Sequence, residues 1–217
     1  MGVNMAGNCI VDDEACREAS KCEIIRRYYK CLCEQRISGI AKDDLYKLEL
    51  LMNQAGISTS YRQVVTAAAQ RSEQTGGHPA VAIELPDGKV VTGKTGDLLG
   101  ASASALLNAL KELAGIDHEV DLVSATSIAP IQKLKTDYLG SRNPRLHTDE
   151  ILIALSTSAA DNALAAKALE QLPKLNGCDA HSTVILSSVD DKMFKRLGIQ
   201  LTCEPRYEEE ERLFHKS

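Results

Sequence analysis

The sequence predicts an α/β protein with a helical N-terminal subdomain and a three-layer α/β/α sandwich built on a mixed sheet. Three observations carry this reading. The first third of the chain holds helical patterns punctuated by helix stop signals. Near residue 80 the period changes to two in AVAIELPDGKVVTGK, where Pro86-Asp87-Gly88 separates two alternating apolar runs. Beyond that hairpin signal, short apolar runs alternate with helical ones, as in sheets covered on both faces.

In chain order, residues 12–36 form the first predicted helix, with acidic residues in its first turn and basic residues later, as the helix dipole favours. A second runs over 42–55 and stops at Gly56; a third covers 60–74 and ends at Gly76-Gly77, with Pro79 beyond. After the hairpin, a helix rich in Ala and Leu spans 100–114 and ends at Gly115. Residues 120–125 read as a short buried strand and 130–139 as helix. Helices at 149–158 and 162–172 are separated by the Asp161-Asn162 cap signal. A strand at 183–188, a short helix at 190–197 and a strand at 200–203 complete the sandwich. The domain boundaries implied are a helical subdomain at 1–77, the sandwich at 78–205 and an acidic, frayed tail at 206–217.

The chain has 217 residues, 44% hydrophobic and 25% charged, which is ordinary globular composition. Its net charge of −5, without a basic tract, argues against nucleic acid or an anionic membrane as partner. No apolar run approaches the roughly 18 residues of a transmembrane helix, and no secretion signal opens the chain, so cytoplasmic residence is the expectation. Seven cysteines in this setting are expected as reduced thiols. Cys9, Cys16, Cys22, Cys31 and Cys33 crowd the start, but their gaps match no zinc-finger spacing.

Gly88 to Thr95 fits the G-x-x-x-x-G-K-[ST] nucleotide-binding pattern. A phosphate loop needs backbone N–H groups that converge in a turn, whereas Lys89-Val90-Val91-Thr92 favours extension. The hairpin reading prevails.

The richest chemistry lies in residues 139–188. Asn143, Arg145, His147, Asp149 and Glu150 gather at one helix start, with Thr148 as a candidate cap; Cys178, Asp179 and His181 precede an apolar run. Asn143, Arg145 and Thr148 are candidate anion-binding residues, because helix N-termini attract anions and guanidinium forks hold oxyanions. His147 or His181 is the candidate general base, with Asp149 or Glu150 as orienting carboxylate. Zinc held by His147, Cys178 and His181 is the metal alternative. Structural use of the same residues, as caps and internal ion pairs, stands beside both. The serine-rich stretches lack the G-x-S-x-G nucleophile elbow, so a serine hydrolase is not expected.

Several stretches together carry a resemblance: MGVNMAG, ELLMNQAGIS, LPDGKVVTGKTGDLLGAS, LGSRNPRLHTDEILIALS, GCDAHSTVILS and LGIQLTCEP. They are similar to the bacterial family called domain of unknown function 1846. The resemblance spans nearly the whole chain. It implies the C-terminal part of a longer protein, whose preceding half carries a Gly-rich, Lys-containing stretch suited to phosphate. It also implies the ATP-dependent peptidase label given to some members. The order hairpin, helix, strand further resembles the cytidine-deaminase architecture. That family needs His-x-Glu and Pro-Cys-x-x-Cys, where this chain has Gly100-Ala101-Ser102-Ala103-Ser104 and Ser124-Ala125-Thr126-Ser127. Deaminase chemistry is therefore not expected. No cofactor is specified.

Two functions follow from the sequence. One is a hydrolytic or phosphate-handling site around 143–150 and 178–183, completed by the N-terminal half of the same protein and open to a small phosphorylated ligand. The other is a non-catalytic scaffold that assembles as a homo-oligomer.

Overall fold

The computed structural model describes residues 12–40 and 43–208. Cys9, His215 and positions 209–217 of the expected tail lie outside the described residues. The chain divides into two compact units, Met1–Arg62 and Gln63–Ser217.

The first unit holds helix α1 (Asp13–Ser38) and helix α2 (Asp43–Ala55), which pack on each other. The Asp12 carboxylate caps α1 by accepting from the Ala15 N–H at 2.9 Å. Gly39, at φ 70°, ends it in the left-handed conformation that glycine adopts without strain. Ile25 and Tyr29 of α1 and Leu48 and Met52 of α2 are buried. Cys16, Cys22, Cys31 and Cys33 are half-buried.

The second unit begins with α3 (Gln63–Gln74). The hairpin β1 (Ala80–Glu84) and β2 (Val90–Lys94) follows, then α4 (Ala101–Ala114) and α5 (Ala125–Lys133), which runs on into a π turn at Leu134–Tyr138. Next come α6 (Thr148–Ser158), α7 (Ala163–Leu169), β3 (Asp179–Ser182), α8 (Ser188–Arg196) and β4 (Gln200–Cys203). The four strands form a mixed sheet in the order β2-β1-β3-β4. β1 is antiparallel to both neighbours, while β3 and β4 are parallel and joined through α8.

Side chains alternate across β1, and the two faces have different partners. Val81 and Ile83 join a core with Ala105, Leu106 and Ala109 of α4, Ile151 and Leu155 of α6, and Phe194 of α8. Ala82 packs with Val64 and Ala68 of α3 on the other face. Each fully buried Leu, Ile or Phe of this core contributes roughly 1.5–3 kcal/mol. Helix α4 lies unusually close to β2 because Gly93 has no side chain: a Cβ there would stand 2.1 Å from the Ala105 nitrogen. The tight turn of the hairpin rests on Gly88, at φ 82°, whose N–H reaches Leu85 O at 2.9 Å. Val90 to Lys94 pair with β1 throughout, so the nucleotide-binding pattern lies on a strand.

Two expected strands need correction. Residues 120–125 are not a strand; Leu122 and Val123 are buried in an irregular segment. Ser124 then caps α5, its hydroxyl accepting from Ser127 N at 3.2 Å, and that local bond directs the chain into a helix. The strand expected at 183–188 instead occupies Asp179–Ser182. Its pairing with β1 ends at Val81↔Ser182, and Thr183 closes the end of the sheet by bonding Ala80 through both backbone and hydroxyl. Among the described residues, no helix is long and apolar enough to cross a membrane.

Candidate functional site

Helix α6 starts at His147, its N-cap, which leaves Thr148 as the first helical residue. That first turn is dense with carboxylates, and each has a defined partner. Glu150 accepts from the His147 N–H at 2.8 Å and from Lys135 Nζ at 2.7 Å. Lys135, almost fully buried on the π turn, also donates to the Arg145 carbonyl. Asp149 accepts from the Glu150 N–H at 2.8 Å. Neither Asp149 nor Glu150 orients the His147 ring.

The ring is oriented by a residue the sequence reading did not single out. Asp190, in the first turn of α8, accepts from His147 Nδ1 at 3.0 Å. Its other oxygen, Oδ1, accepts from both the N–H and the hydroxyl of Thr148, each at 2.9 Å, while Ser187 Oγ donates at 2.8 Å to Oδ2, the oxygen that His147 reaches. One carboxylate thus ties together the starts of α6 and α8. Asp190 is only 5% exposed, and a buried carboxylate persists as an ion only with such a set of donors. Burial opposes its ionisation, yet the His147 hydrogen bond and charge, with Thr148 and Ser187, hold it below the usual carboxylate range. The same hydrogen bond raises the His147 imidazole above its ordinary value, against the opposing effect of burial. The one local signal was Ser187-Ser188-Val189-Asp190, a capping pattern that marks a helix start. Nothing in it points to a histidine 43 residues earlier.

With Nδ1 committed to Asp190, His147 also lines a small cleft. Among the described residues, its Nε2 makes no hydrogen bond. The cleft is lined also by Thr95, Gly100, Ser102, Arg145, Ser187 and Glu208. Arg145 donates from Nε to Gly96 O at 3.0 Å and from a terminal nitrogen to Glu208 at 3.2 Å. Asn143 supports it by accepting from the Arg145 N–H at 3.1 Å. Ser187 Oγ approaches the same ring nitrogen as Asp190, at 3.4 Å. A Ser-His-Asp nucleophile requires the serine on the opposite nitrogen, so Ser187 is a helix cap here.

The remaining candidates lie elsewhere. His181 pairs with Ala82 and so points to the α3 face, 1% exposed, with Nδ1 on Thr202 Oγ1 at 2.9 Å and Nε2 3.3 Å from Glu204. It does not line the His147 cleft. Cys178 is buried in the opposite core, its thiol 3.6 Å from Lys174 O. Burial, then the charges of Asp179 and Glu84, push that thiol up, away from the thiolate a metal requires. Among the described residues, no group of three His, Cys, Asp or Glu side chains converges as a metal site. Thr148, offered as an anion ligand, is fully buried with its hydroxyl spent on Asp190.

The comparisons with known proteins agree with one another. The chain is 55% identical over 207 residues to a UPF0371 protein of Corynebacterium urealyticum, covering 95% of this chain and 41% of the relative. It is 54% identical over 216 residues to one of Corynebacterium aurimucosum, covering 100% of this chain and 43% of the relative. A UPF0371 protein of Streptococcus thermophilus is 51% identical over 208 residues, at 96% and 42% coverage. The chain therefore spans less than half the length of these relatives. Residues 60–214 match the model described as domain of unknown function DUF1846, C-terminal, and residues 1–56 match its N-terminal counterpart. By those matches, the chain belongs to the DUF1846 family.

Proposed function

We propose that the His147 cleft is this chain's share of a hydrolytic or phosphate-handling site in the longer protein. His147 is the proton acceptor, through Nε2, and Asp190 is the residue that orients it. Asn143 and Arg145 form the anion-holding edge. The observation that carries this reading is the His147–Asp190 pair, which fixes one nitrogen of a residue lining the cleft and leaves the other without a hydrogen bond among the described residues. Since Ser187 lies on the wrong nitrogen, the attacking group is water or a substrate hydroxyl. The part of the relatives beyond this chain supplies the rest of the site, in a cytoplasmic protein. Helices on both faces of the sheet support the three-layer sandwich, and β1 antiparallel to both neighbours supports the deaminase-like strand order.

The test uses a full-length Corynebacterium relative, screened against phosphate monoesters and small amide and ester substrates. Replacing the counterpart of His147 with Gln should lower turnover about 100-fold or more. Turnover within about twofold of the unaltered protein, in a variant that remains folded, would remove His147 from the chemistry.

A second reading, a scaffold that assembles with itself, is favoured by Leu134, Tyr138 and Leu139, which are 50%, 72% and 73% exposed on one turn. Sedimentation at rising concentration tests it. A strictly monomeric chain overturns it.

A further inference from the structure

The cleft contains a second polar feature that neither the histidine nor its carboxylate uses. Helix α4, 14 residues long, begins at Gly100 with no side-chain cap. Its first N–H groups have no acceptor within the helix, and those of Ala101 and Ser102 have none elsewhere among the described residues. Gly100, Ala101 and Ser102 all line the cleft. Two hydroxyl side chains on buried residues stand beside them. Ser102 is 2% exposed and Thr95 4% exposed, and both line the same cleft. Among the described residues, neither hydroxyl has a hydrogen-bond partner. Neither oxygen is among the fully buried unpaired atoms, so both open onto the cleft, and with the helix start they offer convergent donors to an acceptor that enters it.

The geometry points to a phosphoryl-binding subsite at the start of α4, formed by the Ala101 and Ser102 N–H groups, the Ser102 and Thr95 hydroxyls, and Arg145. This deepens the proposed function and rests on it for the role of the group bound. The donors come from α4, from the residue after β2 and from the loop before α6, and all line the same cleft. A tetrahedral oxyanion, with its separate oxygens, uses such a set better than a planar carboxylate does. The start of α6 offers no equivalent, because the chain's own carboxylates hold its N–H groups. Two acidic side chains also line the cleft. Asp190 directs its oxygens to His147, Thr148 and Ser187, whereas Glu208 rests on Arg145. Glu208 therefore competes with a bound anion for the guanidinium.

Titration of the isotope-labelled chain with inorganic phosphate, followed by amide NMR, tests this. Saturable shifts at Ala101 and Ser102 are expected. Ser102→Ala should weaken binding about fivefold, and adding Thr95→Val should weaken it by at least about 25-fold overall. Glu208→Gln should tighten binding about threefold at low salt. No shift at those two amides at millimolar phosphate, or unchanged affinity in folded Ser102→Ala, overturns the subsite. Acetate binding as tightly as phosphate overturns the phosphoryl assignment. His147→Gln separates the two readings. Phosphate binding retained alongside full turnover in the relative defeats only the proton-acceptor role. Lost phosphate binding alongside a dead His147 variant defeats only the subsite.

Discussion

His147 Nδ1 and Asp190 Oδ2 meet at 3.0 Å and join the first turns of two helices 43 residues apart in sequence. Each partner changes the other's proton affinity, and the shifts have opposite signs. Stability and ring protonation are therefore linked at this point.

The pH dependence follows from those signs. His147 is raised above its ordinary value of 6.5, so its contribution is complete below about that pH and is lost as pH rises through the folded value. Asp190 is held below 3.8, so its contribution is present above that pH and is lost as pH falls through the lower folded value. The pair stabilises the fold most between those two ordinary values. Histidine NMR titration should place the His147 midpoint above 6.5 in the unaltered chain and lower in Asp190→Asn. An unchanged midpoint in that variant would sever the link between the two residues.

Asp190→Ala should cost about 3–5 kcal/mol, because it strips a buried carboxylate from four donors at once. His147→Ala alone should cost less, since Thr148 and Ser187 still hold Asp190. A double-mutant cycle in urea should return a coupling of about 1–3 kcal/mol. Additive costs would show that Asp190 acts as a cap for Thr148 and not as a partner of the ring.

These residues show what the sequence made legible. Local signals were sound where the determinant was local: the Asp87-Gly88 turn, the Gly115 stop, and the Asn162 cap, which accepts from Leu164 N at 3.0 Å. The segment around His147 was also recognisable as polar and crowded. Its wiring was not. Glu150 turned to Lys135 and to the backbone, and the ring turned to a carboxylate that reads locally as a helix-start residue. His181 was separated from His147 by the period of two along β3, which a slip in the strand's assigned start conceals. Sequence placed the strand at 183, so the face to which position 181 points was out of reach.

Cys178 provides a separate check on the metal alternative. Cys178 is 5% exposed and its thiol is pushed up by burial, whereas Cys16 and Cys22 are half-buried. In the native chain, Cys178 should react with a thiol reagent at least about 10-fold more slowly than those on α1, the difference vanishing in denaturant. Zinc titration should show no stoichiometric uptake that Cys178→Ser removes. A zinc equivalent lost with that substitution would restore the metal reading.

Gly93 tests how the cleft itself is built. Helix α4 brings Gly100 to Ser102 to the cleft only while it lies hard against β2, and the contact is made at Gly93. An alanine Cβ there would meet Ala105 N at 2.1 Å and Ser104 C at 2.6 Å. Both are helix backbone atoms, so no side-chain rotation relieves the clash, and the helix must move as a body. Gly93→Ala should therefore cost about 3 kcal/mol or more. Gly96→Ala is the control: a Cβ there meets nothing within 4 Å, and its cost should stay within about 0.5 kcal/mol. Because Ser102 sits on α4 and Thr95 directly follows β2, the two elements that Gly93 holds together, any folded Gly93→Ala protein should also bind phosphate more weakly than Gly96→Ala. Equal stability of the two variants in thermal unfolding would show that α4 does not depend on this contact for its position.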